Sequence, residues 1–469
     1  MNRFFPAFST VLAGLLCATG CESTTQLPLK LVFPEDTTDL QRADNAALVV
    51  FPDGLNVSVP VEGTSFSLEV ELEPDGITRV VDLYLADGDD LLAWGRSPEF
   101  VLSGGDSDLT MFVGRPGALS TYPGTIDAAD PKLLAAHAEG RGFVMLGQNG
   151  ETYLLNQRTL EVESGETFRP DGEFPNPDDG ALLPDAGGGV VRVVWAEGLA
   201  AWRYDPGVDQ WSELTLVGDD VDLTLPRPGA AHLQNTPRTR VLLFGGGEYD
   251  RIASLDLIAE EGTPADQRRV SLIPNVVLDG PRQGARANWL IRERDGVEEW
   301  IVLAGGSDAQ LPGVLAIPSI GGDPVAIGPV GDWQQVRCEQ VDVDATKDSS
   351  ARMICAGGSR DNTATAAGGV LVFAPQTPPS ILWDEDLLPL AMEDPMWFHD
   401  DGGIYAQGDG HLIAFDRKTL TPVDQPTPAG RTRGGHSVNL STGATFLLGG
   451  ETQDGGAVDH WHVFMPALL

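Results

Sequence analysis

The chain is poor in basic residues. Its 469 residues include 30 Lys and Arg against 69 Asp and Glu, a formal net charge of −39. Such a surface repels phosphate backbones and anionic headgroups. Nucleic-acid binding is therefore not expected, nor a membrane contact made by the protein surface itself. Helical patterning is scarce after the first 20 residues; the best stretch, 130–138, is expected to form a turn or two of helix. There are four cysteines and six tyrosines, and no P-loop, dinucleotide-binding fingerprint or serine-elbow motif. Glycine (56) and proline (34) are plentiful without a collagen period, which reads as many turns joining short strands. At this length more than one unit is expected.

A marked apolar run stands at the start. Arg3 gives a short positive lead, residues 4–16 are mostly apolar, and Ala18-Thr19-Gly20-Cys21 follows. The run is too short for a spanning helix and reads as a cleaved export signal over residues 1–20. Small residues directly before a cysteine resemble the bacterial lipobox, although Ala18 stands where Leu is usual. The resemblance implies that Cys21 carries lipid, that membrane attachment is through acyl chains alone, and that Glu22 directs the chain to the outer membrane. The alternative is an ordinary secretory signal cut nearby. Residues 21–28 then read as a tether.

Cysteine usage agrees with export. Once Cys17 and Cys21 are set aside, Cys338 and Cys355 remain. Residues 336–343 and 351–356 read as a hairpin, and symmetry about its loop puts the two cysteines opposite each other, so a disulfide is expected. Two buried free thiols are the alternative.

Residues 29–115 show alternating apolar and polar positions at 29–33, 47–51, 55–61, 65–72, 78–85, 91–94 and 109–113, separated by turns such as Pro52-Asp53-Gly54. About seven short strands in this length suggest a small Ig-like β-sandwich.

From 118 to 469 a different pattern takes over. An apolar run ending in Gly-Gly recurs at Gly245-Gly246, Gly305-Gly306, Gly357-Gly358 and Gly449-Gly450, with weaker echoes at Gly147, Gly198 and Gly408. The step is roughly 40 to 60 residues, the period of a propeller blade. Upstream stand Pro226-Arg227-Pro228-Gly229-Ala230-Ala231-His232, Pro281-Arg282-Gln283-Gly284-Ala285 and Gly430-Arg431-Thr432-Arg433-Gly434-Gly435-His436. Downstream stand Tyr204-Asp205-Pro206 and Trp211. Together these resemble the kelch repeat over roughly residues 130–469. The resemblance implies an all-β chain whose C-terminal part is a kelch-like β-propeller of four-stranded blades, seven of them, or six if the Gly147 unit lies elsewhere. Closure is expected to use a strand near 119–126 beside one at 460–464. The glycines are read as scaffold: the first ends a strand against the neighbouring blade, and the second takes φ > 0 in the turn.

Other constellations have structural readings. His232 and His436 each stand 13 residues before a Gly-Gly, with Asn288 in a similar place. Residues repeated once per blade are spread around a ring, so buried hydrogen bonding is expected of them rather than metal binding. His460 and His462 lack an evident third ligand. Copper radical oxidases resembling galactose oxidase share the kelch shape but need a Tyr–Cys cofactor, which six tyrosines and a hairpin pair of cysteines do not suggest. No sialidase box is present, and no cofactor or metal is expected.

The sequence thus suggests an exported, lipid-anchored envelope protein whose propeller binds a protein or glycan, with loops 163–181, 260–267 and 344–350 as candidate contacts. The rival is an exported carbohydrate-active enzyme with its site at the channel mouth.

Overall fold

The computed structural model describes residues 13–18, 24–35, 37–72, 75–102, 109–123, 132–170, 175–235, 237–292, 298–308, 310–341, 351–373, 377–400, 403–416, 419–427, 433–452 and 454–468. Cys21 and the hairpin loop 344–350 lie outside the described residues. The chain is nearly all β.

Two sheets form the N-terminal part. One runs Glu69–Leu72, Ala13–Ala18, Thr24–Val32, Leu109–Phe112. The other runs Leu55–Pro60, Asn45–Phe51, Thr78–Asp87, Asp90–Arg96, with Phe100–Val101 on Thr78–Asp87. Asn45–Phe51 alternates along its length, so Ala46, Leu48 and Val50 face a core shared with Leu29, Leu31 and Met111 of the first sheet. Residues 24–28, read above as tether, belong to a strand. Pairing with Ala13–Ala18 draws them into the sheet.

Among the described residues, seven four-stranded antiparallel meanders follow. The first is Leu134–Ala138, Gly142–Leu146, Thr152–Asn156, Val162–Ser164. The second is Gly180–Pro184, Val190–Val194, Ala200–Asp205, Gln210–Asp219. The third is Ala231–Gln234, Arg240–Phe244, Ile252–Asp256, Gln267–Leu272. The fourth is Arg286–Arg292, Glu298–Ala304, Val314–Pro318, Val325–Ala326. The fifth is Arg337–Val341, Ala351–Ala356, Gly368–Phe373, Ser380–Asp384. The sixth is Met396–His399, Gly403–Gly408, His411–Asp416, Pro422–Pro426. The seventh is His436–Asn439, Thr445–Leu448, His462–Met465, completed by Ala118–Thr121 from the far end of the sequence.

First strands of neighbouring meanders touch around the ring, the seventh reaching the first, and those of the second and third meet through a side-chain hydrogen bond. Side chains stitch the ring. Gln234 Nε2 donates to Pro184 O at 2.6 Å, joining the second and third meanders. Asn288 Nδ2 donates to Cys338 O at 2.6 Å, joining the fourth and fifth. Ser437 Oγ donates to Trp397 O at 3.1 Å, joining the sixth and seventh. A ring of meanders closed by strands from both ends is a β-propeller. The outer strands of the second and third meanders also pair in parallel, Thr215 with Gln267 through Asp219 with Ser271.

Residues 134–138 are a strand, not the expected helical turn. Cys338 and Cys355 pair across the fifth meander's hairpin and are joined as a disulfide. Trp211 of the second meander donates from Nε1 to Thr152 Oγ1 of the first at 3.0 Å and packs on Phe168. It fills the wedge between two sheets.

Candidate site at the mouth of the central channel

The seven first strands begin at one level. Leu134, Gly180, Ala231, Arg286, Arg337 and His436 each pair with the last residue of their second strand, and Met396 pairs with Gln407, the last but one. Around this level lies a cavity of about 720 Å³ whose lining includes His232, Arg286, Arg337, Asp394 and His436.

Asp394 precedes the sixth meander and is buried. Arg337 Nε donates to its Oδ1 at 2.8 Å. Arg286 Nη2 reaches only 3.9 Å from the same oxygen, and the buried Nε–H of Arg286 has no hydrogen-bond partner. Burial pushes the Asp394 carboxyl up, but Arg337 and Arg286 outweigh it, and the carboxyl stays below its usual range. The rim is paired as well: Lys132 with Asp178 at 2.5 Å, and Arg433 with Glu451 at 2.6 Å.

Both histidines are held neutral. Burial, then the charges of Arg286, His436, Arg192 and Arg337, push the His232 imidazole down to about 3. Burial, then Arg337 and Arg286, push His436 down to about 4 against the opposing pull of Asp394. The Trp195 ring lies 5.6 Å from that of His232.

His232 and His436 do share one cavity, which spacing alone did not suggest. They are not at matching points, however. His436 pairs with Leu448, next to Gly449, whereas His232 pairs with Leu243, one residue further from its Gly-Gly. Asn288 is two places beyond Arg286 and bonds to the next meander's backbone. His460 lies 3.5 Å from Asp459, and His462 is buried. Among the described residues no group of three or more His, Cys, Asp or Glu is placed to hold a metal ion.

Sequence reasoning missed Arg286, Arg337 and Asp394. The signal was present: counting back from each Gly-Gly along a paired hairpin puts Arg286, Arg337 and His436 on one level. That count requires hairpin lengths the sequence does not print. Of the expected contact loops, 163–181 supplies Pro177, Asp178, Gly180 and Ala181 to the lining, and 260–267 supplies none of it.

The Gly-Gly pairs stay with the scaffold. Gly245, Gly246, Gly305, Gly306, Gly357, Gly358, Gly449 and Gly450 all have positive φ. The arginines upstream of two of these pairs also serve the scaffold. Arg282 donates to Pro312 O at 2.6 Å, and Arg227 lies 3.7 Å over the Tyr249 ring.

No family model matches the chain, and no curated protein matches it. Among solved structures it is similar to Sqt1 of Saccharomyces cerevisiae, at 12% identity and TM-score 0.45, covering 73% of this chain and 97% of that one. It is also similar to the extracellular domain of the putative one component system BT4673 from B. thetaiotaomicron, at 12% identity and TM-score 0.44. That match covers 96% of this chain and 59% of the other. YCF48 bound to D1 peptide matches at 12% identity and TM-score 0.43, over 73% of this chain and 95% of that one. The propeller assignment rests on the sheet topology above.

Proposed function

We propose that this chain is an exported lipoprotein, anchored through Cys21 in the outer membrane, whose seven-bladed kelch-like propeller is a binding platform for an envelope protein or glycan. An Ig-like sandwich links anchor to propeller. Export is supported by the N-terminal segment and by a disulfide, which persists in oxidising compartments. Cleavage before Cys21 removes the strand Ala13–Ala18, so only Glu22 and Ser23 would separate the lipidated Cys21 from Thr24–Val32.

One observation carries the binding reading. The mouth cavity presents guanidinium, neutral imidazole and tryptophan, while its buried carboxylate is taken up by Arg337. An ionised, paired Asp394 is not a proton donor at neutral pH, and the other lining carboxylates, Asp178, Glu393 and Glu451, are likewise held by cations, which supports recognition over glycoside cleavage.

Pulldown from envelope extract and a glycan array test this reading, with an Arg337→Met/His436→Ala double variant as control. The expected result is capture by the native protein that is lost in the double variant. Hydrolysis of a polysaccharide panel, abolished by Asp394→Asn, would replace the binding reading with catalysis. For the anchor, Cys21→Ser is expected to move the protein from the membrane to the soluble fraction; continued attachment would exclude lipidation at Cys21.

A further inference from the structure

We infer that the channel mouth is a binding site for a single carboxylate, with Arg286 as its principal partner and Arg337 and His436 beside it. This rests on the reading of the mouth as the ligand site and adds the chemistry of the occupant.

The first argument is an unmet bonding demand. Arg286 and Arg337 face one carboxylate, Asp394, and Arg337 takes the hydrogen bonds. Arg286 is left with a 3.9 Å contact and a buried Nε–H without a partner. The side chain as a whole is 42% exposed, so an arriving acceptor meets the guanidinium at its Nη groups, where the Asp394 oxygen stands too far off for a hydrogen bond. The planar fork of a guanidinium fits the two oxygens of a carboxylate.

The second argument is local charge. Arg286 and Arg337 against Asp394 leave one positive charge in excess at the inner level, within a lining that as a whole balances Lys132, Arg286, Arg337 and Arg433 against Asp178, Glu393, Asp394 and Glu451. The neighbouring imidazoles are neutral, and at the rim Lys132 is paired with Asp178 and Arg433 with both Glu451 and Glu393, so the positive excess is confined to the inner level. One excess positive charge matches one negative charge. The third argument is exclusion. The chain as a whole carries −39, so a polyanion is repelled before it reaches the mouth, and a divalent phosphate or sulfate overfills the local excess. The occupant is therefore a ligand with one carboxylate that is otherwise neutral or cationic.

Acetate is the probe, with acetamide and sulfate as comparisons at constant ionic strength. The intact protein, labelled at arginine Nε, is followed by NMR, and the Arg286 resonance is identified by its loss in Arg286→Gln. A saturable shift with acetate is expected, with a Kd on the order of millimolar, and none with acetamide. Arg286→Gln is expected to weaken acetate binding, read by calorimetry, about tenfold or more, and Arg286→Lys by less. No saturable shift, an equal response to acetamide, tighter binding of sulfate, or affinity in Arg286→Gln within about twofold of native would each overturn the inference. If Arg286→Gln fails to fold, Arg286→Lys carries the comparison and must weaken acetate binding. A protein that captures its partner through the mouth yet ignores acetate keeps the platform reading and loses this one. A protein that binds acetate at Arg286 but captures nothing does the reverse.

Discussion

A Cβ on Gly358 would stand 2.3 Å from the Gln334 carbonyl oxygen, and one on Gly246 would stand 2.6 Å from that of Arg227. In both copies the second glycine of the pair lies against the turn that leads into its own meander's first strand. The strain of positive φ therefore adds to a backbone clash. Gly262 separates the two effects, since it has φ +88° but nothing within 4 Å of a built Cβ. Gly262→Ala should cost about 1 kcal/mol, the strain alone. Gly358→Ala should cost about 3 kcal/mol or more in urea unfolding, because backbone must move. The neutral histidines give a second expectation at this scale. The folded protein holds His232 at about 3 and His436 at about 4, against an ordinary value of 6.5. Between these limits the unfolded chain binds more protons than the folded one. Stability is therefore full above about pH 6.5 and falls with decreasing pH, by at most about 1.4 kcal/mol per pH unit for each imidazole. Urea unfolding from neutral pH down to about 4 should show this slope, and it should flatten in a His232→Gln/His436→Gln variant. Burial sets it first, then the charges of Arg286 and Arg337 at both rings and of His436 and Arg192 at His232, opposed at His436 by Asp394.

At the scale of the element, the fifth meander's hairpin is held by its disulfide. Cys338 and Cys355 are 17 residues apart, and closing a loop of that size in the unfolded chain stabilises by about 3 kcal/mol. Reduction, or Cys338→Ala with Cys355→Ala, should lower stability by about that amount while the far-ultraviolet β signal persists at low temperature. This pairing was legible in the sequence because a symmetric hairpin fixes what stands opposite what. The strands of the N-terminal sheets were legible for a related reason: one wet face makes them alternate, as at Asn45–Phe51. Leu134–Ala138 was not legible. Its Leu-Ala-Ala-His-Ala composition favours helix, and of its two half-buried positions, Ala135 and His137, only one is polar, which leaves no repeated polar period to read. The site was hidden by hairpin length. His232 and His436 are equally far from their glycines along the chain but not along the strand pairing, while Arg286 and Arg337 share a level that no motif marks.

At the scale of the whole molecule, the N-terminal sheets and the propeller are not beads on a string. Val32, Trp94 and Phe112 of the former share one core with Tyr122, Phe143, Phe446 and Trp461 of the latter. Trp94 Nε1 donates to Pro466 O at 3.0 Å, and Thr110 N donates to Arg158 O at 2.6 Å. The core is centred where the propeller closes, since Ala118–Thr121 leaves the N-terminal part to complete the seventh meander. Docking and closure are therefore coupled: loosening the first frees the strand that performs the second. Native protein should unfold in one thermal transition. Trp94→Ala removes a side chain that is 4% exposed at the centre of this junction, and should cost about 4 kcal/mol. Because the lost contacts span the two parts, calorimetry should resolve two transitions in the variant. The seventh meander should then exchange its amide hydrogens faster than the fourth, which lies away from the seam. A single transition shifted down intact would mean that closure of the ring does not depend on the docked sheets.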